Sequence, residues 1–157
     1  MSTRAFSSLA SFARFTSELT IVATPTLEAG IAAVAKNLQR EVKDSLGKPD
    51  LLTPKLSPVT VQLREDHAWG YAKTDPAPGV GPNDTLLWSG ELRDSYEMES
   101  RGLIAGVGSE NMKALWHEVG TRTEPARMPL RRAADKSEPE NVALFHAVGG
   151  RLLRLDK

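Results

Sequence analysis

Residues 96–109 read YEMESRGLIAGVGS, and this stretch decides between an all-helical and a mixed fold. Tyr96 and Met98 alternate with Glu97 and Glu99, the two-residue period of a strand with one face buried. Arg101-Gly102 supplies a tight turn and Leu103-Ile104-Ala105-Gly106-Val107 returns, so the stretch reads as a β-hairpin. Glu97 and Glu99 then belong to its solvated face.

Helical patterns flank the hairpin. Ser109-Glu110-Asn111 opens a helix holding Met112, Leu115, Trp116 and Val119, which Gly120 ends. Upstream, Thr24-Pro25 gives a cap and a proline at the first helical position. Leu27, Ile31, Val34, Leu38, Val42 and Leu46 follow every three or four residues, and Gly47-Lys48-Pro49 stops the pattern. Residues 1–23 read as an N-terminal extension or a short helix, with Phe6, Leu9, Phe12 and Ala13 at helical spacing. Ser57-Pro58 opens a short helix through Glu65, with a strand as the rival because Val59-Thr60-Val61 is β-branched. Residues 70–84 hold Gly70, Pro76, Pro78, Gly79, Gly81 and Pro82, the composition of a long flexible loop. Ser137-Glu138-Pro139-Glu140 is a capping box for a last helix striped by Val142, Phe145, Val148, Leu152 and Leu155, with Gly149-Gly150 predicting a kink or close packing. The expected fold is α+β: a long N-terminal amphipathic helix and C-terminal helices on a small antiparallel sheet, one domain over residues 1–157.

Composition narrows the chemistry. The chain has 157 residues, 20 basic against 20 acidic side chains, 40% hydrophobic residues and no cysteine. Disulfides, thiolate zinc sites and a cysteine nucleophile are excluded together. A balanced charge argues against sequence-independent DNA binding, which needs a surplus of Lys and Arg. Any DNA contact would be local, and a module using Arg127, Arg131 and Arg132 is the candidate. No run approaches about 18 consecutive apolar residues, so no membrane partner is expected. His117-Glu118 invites comparison with the H-E-x-x-H zinc helix, but Thr121 stands where the second histidine belongs and Gly120 ends the helix first. His67, His117 and His146 are widely spaced. Gly79-Val80-Gly81 lacks the lysine and following helix of a phosphate loop, and neither Ser89 nor Ser109 has triad partners nearby. No catalytic residue, cofactor or metal is expected. The alternative is a small metal-dependent hydrolase using His117 and Glu118.

Four segments, taken in order, carry a resemblance. They are Leu87-Trp88-Ser89-Gly90-Glu91-Leu92-Arg93-Asp94-Ser95; Gly106-Val107-Gly108-Ser109; Ala114-Leu115-Trp116-His117-Glu118-Val119-Gly120-Thr121; and Pro125-Ala126-Arg127-Met128-Pro129-Leu130. Over roughly residues 55 to 135 the chain resembles the virion-morphogenesis or tail-completion family of tailed bacteriophages. That family shows Leu-x-x-Gly-x-Leu-Arg-x-Ser, a Val-Gly-Ser/Thr strand end, an aromatic-His-Glu-x-Gly-Thr helix end and Pro-x-Arg-x-x-Leu. Leu56-Ser57-Pro58-Val59-Thr60 also resembles its Leu-Ser-x-x-Thr segment. Trp116, Val119, Met128-Pro129 and Arg131-Arg132 depart from the usual pattern.

The resemblance implies a non-enzymatic structural protein of the virion neck or upper tail, assembled in the host cytoplasm. It implies a homo-oligomeric ring, of which a hexamer is one form, the subunit number being left open by the sequence. Its neighbours would be the head connector or head-closure protein on one side and the tail tube or tail terminator on the other, with DNA only passing through the lumen. Residues 91–99 carry Glu91, Asp94, Glu97 and Glu99 against Arg93, whereas 127–132 carries Arg127, Arg131 and Arg132 with no acid. That polarity suits contacts between neighbouring copies, with ordinary pairing within one chain as the alternative. The expected interface residues are therefore Arg127, Arg131, Arg132, Glu97, Glu99, Trp116, His117 and Glu118.

Overall fold

A computed structural model describes residues 8–48, 55–66 and 75–154. Its elements are α1 (Leu9–Ser45), α2 (Pro58–Glu65), α3 (Glu91–Asp94), β1 (Tyr96–Arg101), β2 (Ile104–Ser109), α4 (Met112–Val119) and α5 (Pro129–Arg154). The fold is α+β, and the hairpin, α2 and α4 follow the sequence reading. β1 and β2 pair antiparallel, with Tyr96, Met98 and Ser100 opposite Ser109, Val107 and Ala105 on one face. Glu97, Glu99 and Arg101 stand opposite Gly108, Gly106 and Ile104 on the other. Gly102, at φ +60, takes the first corner of the two-residue turn, a place that favours glycine.

Two helix starts need correction. Residues 9–23 are not a separate element: α1 runs unbroken for 37 residues, about 55 Å at 1.5 Å per residue, from a capping box between Ser8 and Ser11. Pro25 lies inside it rather than at its start. Proline removes one amide donor, but Pro25 is exposed, so water can reach the freed carbonyl. The Thr24 and Thr26 hydroxyls beside it donate to the carbonyls of Thr20 and Val22. The last helix likewise begins at Pro129, not at Ser137, and Pro139 is an exposed interior residue. Gly149 and Gly150 remain helical. By length and composition alone, α1 could cross a membrane. Phe6, the side chain of Phe12, and Leu155 lie outside the described residues.

Helices α1 and α5 pack antiparallel. Val148 lies against Gly30, where an added Cβ would come within 2.9 Å of its Cγ2. Further along, Asn37 donates to Asn141 at 2.9 Å, Arg40 pairs with Glu140 at 3.4 Å, and Lys136 pairs with Glu41. Ser137, which the sequence suggested as a cap, is buried in this seam: its hydroxyl accepts from Asn141 at 3.1 Å and donates to the Ala134 carbonyl. The core gathers where the C-terminal part of α1 meets the hairpin, α4 and α5. It comprises Val42, Leu46, Leu92, Tyr96, Ala114 and Ala133, with Leu38, Leu86, Val107 and Leu130 packed around them.

Gly47 ends α1 as expected, at φ +90, and its amide donates to the Thr85 carbonyl at 2.8 Å. Of the expected flexible loop, 70–74 lie outside the described residues. Residues 75–84 form successive tight turns: Val80 N donates to Ala77 O at 3.0 Å, Asp84 N to Gly81 O at 3.1 Å, and Gly81 N to the Asp84 carboxylate at 2.8 Å. Support for these turns comes from local hydrogen bonds rather than apolar burial. Buried Arg64 on α2 adds to it by donating to the carbonyls of Asp84 (2.7 Å), Pro82 (3.3 Å) and Leu87 (3.4 Å), its guanidinium 5.2 Å from the centroid of the Trp88 ring.

Candidate functional site

Helix α4 is short enough that its two faces can be followed residue by residue. Asn111 caps it through the Lys113 amide, and Gly120, at φ +79, ends it. Ala114, His117 and Glu118, at helical spacing, face the protein: Ala114 is buried and the other two are half-buried. Met112, Leu115, Trp116 and Val119 face outward, 56%, 53%, 49% and 65% exposed. The spacing i, i+3, i+4, i+7 ordinarily marks the stripe a helix buries. Here that stripe is uncovered and the polar pair is turned in.

The inward pair joins α4 to α5. Glu118 accepts from the backbone amides of Leu130 at 3.0 Å and Arg131 at 3.1 Å, one carboxylate oxygen each. These are among the first-turn amides of α5 that have no partner within the helix, and a negative charge suits the helix N-terminus. The carbonyl of His117 accepts from Arg127 N at 2.7 Å and Met128 N at 3.0 Å, folding the connecting loop back onto α4. His117 Nδ1 is buried and finds no hydrogen-bond partner among the described residues. Burial, and then the neighbouring Arg127 charge, holds the imidazole pKa below its ordinary value, with Glu124 opposing. The buried Tyr96 hydroxyl is pushed up to about 12, first by burial and then by the Glu118 charge. Among the described residues no group of three or more His, Asp or Glu side chains is placed to hold a metal ion.

A cleft of about 300 Å³ beside His117 is walled by Arg64, Trp88, Lys113 and Arg127, with Glu91 and Glu124 among its acids. Lys113 is paired with Glu91 at 2.9 Å, a hydrogen bond that lowers the Glu91 carboxyl pKa. Arg93 holds Asp94 at 2.9 Å. Arg64, the most deeply placed cation of this cleft, carries no motif and was not singled out by sequence. Its three carbonyl acceptors come from a turn some twenty residues away and become visible only when the chain is folded.

The expected interface residues divide into three groups. His117, Glu118 and half-buried Arg127 are brought together between α4 and α5, where they serve the subunit's own packing. Arg132 is half-buried and donates to the Arg127 carbonyl at 3.4 Å. Arg131 and Trp116 are exposed. Glu97 and Glu99 lie elsewhere, on the outer face of the hairpin, in a broad trough of about 730 Å³ shared with Arg101, Ile104, Gly106 and Gly108. The structure therefore does not join the arginine group to Glu97 or Glu99 within one chain. No protein-family model, curated protein or solved structure matches this chain.

Proposed function

We propose that this chain is a structural assembly protein of the neck or upper tail of a tailed bacteriophage, completing the tail and joining it to the head connector as a ring of its own copies. The observation that carries this reading is the uncovered apolar stripe of α4. Four large hydrophobic side chains on two helical turns form a surface that costs free energy in water and gains it when a partner covers it. The resemblance over residues 55 to 135 supplies the class of assembly, since the Trp116-His117-Glu118 segment falls on that same helix.

On this reading the partners are further copies of the chain, the head-closure protein and the tail tube or terminator protein, with DNA passing through the lumen. The chain acts in the virion after assembly in the host cytoplasm. A hydrolytic role for His117 and Glu118 has less support, because both Glu118 oxygens are already bonded to backbone amides. A phage lacking this protein should yield filled heads and separate tails in electron micrographs. Normally joined particles from that mutant would overturn the assignment.

A further inference from the structure

The two exposed surfaces differ in character, and each offers what the other lacks. On the hairpin's outer face, Glu97, Glu99 and Glu110 form no hydrogen bond or ion pair among the described residues, and Arg101 is the opposing charge in that trough. Across the strands from Glu99 and Glu97 stand Gly106 and Gly108, where an added Cβ would meet nothing within 4 Å. The trough is thus acidic on one strand and bare backbone on the other, with Ile104, 77% exposed, at its end. On the other surface, exposed Arg122 follows Val119 by three residues in the chain, and exposed Arg131 lies in the first turn of α5 with its amide on Glu118, the α4 residue next to Val119. The side chains of Arg122 and Arg131 have no acidic partner among the described residues, and Glu124 is the acid on the intervening loop.

We propose that these surfaces bind one another between copies: the hairpin trough of one subunit receives the α4 face of a second copy of this chain. Trp116 lies over the Gly106–Gly108 backbone, and Arg122 and Arg131 reach Glu97, Glu99 and Glu110. The inference rests on the self-assembly part of the reading above and deepens it by naming the two halves of the contact. Charge complementarity selects the occupant, because Glu97, Glu99 and Glu110 on the hairpin lack a cationic partner, and Arg122 and Arg131 near the C-terminal end of α4 lack an acidic one, among the described residues. Arginine is suited to the role, since its planar fork can grip a carboxylate with two bonds once water is excluded. Because the two patches differ, each copy uses both, and the contact propagates head to tail, as a closing ring requires.

The test uses full-length chains disabled on one face each and followed by sedimentation. One variant carries Glu97→Lys with Glu99→Lys; the other carries Trp116→Ala with Arg131→Ala. All four side chains are exposed, and circular dichroism checks folding. Should a variant fail to fold, Gly106→Val with Gly108→Val replaces the first and Val119→Ser with Arg131→Ala the second. Neither glycine has a positive φ, and valine favours strands, so the hairpin should keep its stability while the trough is filled. Wild type should form multimers, each variant alone should lose them, and the mixture should stop at a one-to-one dimer, since each partner keeps one working face. Multimers from either variant alone, or monomers only in the mixture while wild type assembles, would overturn this contact and leave self-assembly standing. A wild-type chain that stays monomeric at all concentrations would overturn both.

Discussion

Glu118 bonds to two amides of a helix other than its own, and this accounts for a residue pair that looked like chemistry in the sequence. Replacing it by alanine strands those amides at the start of α5. Losses of helix caps of this kind cost about 0.5–2 kcal/mol, so Glu118→Ala should lower unfolding free energy by about 1–2 kcal/mol in denaturant titration. Glu118→Gln, which keeps one acceptor, should recover part of it. His117 carries a pH signature. Its folded pKa is depressed by burial and Arg127, so the unfolded chain binds the proton more tightly. The stability it contributes is present in full above the ordinary histidine value of about 6.5 and is lost as pH falls through that value toward the folded one. Melting temperature should therefore drop between pH 7 and pH 5, and His117→Gln should flatten that slope. Gly120 is held at φ +79 with ψ 174, and an added Cβ would sit 2.7 Å from the Ala126 nitrogen. Gly120→Ala should accordingly cost at least about 1–3 kcal/mol by the same titration.

At the scale of elements, local signals were legible wherever the element answers to its own residues. The hairpin follows from the alternation of Tyr96 to Glu99 and from Gly102, and α2 from Ser57-Pro58. The misplaced starts share one cause. Thr24-Pro25 and Ser137-Glu138-Pro139 have the chemistry of caps, but both lie in stretches where α1 and α5 pack on each other or continue as helix, and the prolines point to water. The true start of α5 depends on Glu118 from a different helix, and no window of sequence contains that information. The α1–α5 register also rests on a long-range polar seam. Asn37→Ala should leave Asn141 and Arg40 short of a partner and cost about 1–3 kcal/mol in denaturant titration. Asn37→Leu combined with Asn141→Leu should restore only part of that loss, because the two amides no longer strand each other while Arg40 and buried Ser137 still lose theirs.

In the whole molecule, the buried core is concentrated at one end of α1, while α4 turns its most apolar side chains to solvent. Sequence showed the stripe of Met112, Leu115, Trp116 and Val119 but not which way it faces, because spacing defines a face and only the folded chain decides what lies beneath it. The same limit applied to the arginines: Arg127 and Arg132 turned out to be half-buried, and Arg131 alone of the three remained exposed. If the α4 stripe is an assembly surface, its side chains must be covered when copies join. Hydroxyl-radical footprinting of Met112 and Trp116 tests it most directly, comparing the dilute subunit with the assembled protein. Strong labelling of both is expected in the free subunit and protection of both on assembly, with exposed Val59 on α2 unchanged. Equal labelling of Met112 and Trp116 in the two states would contradict it.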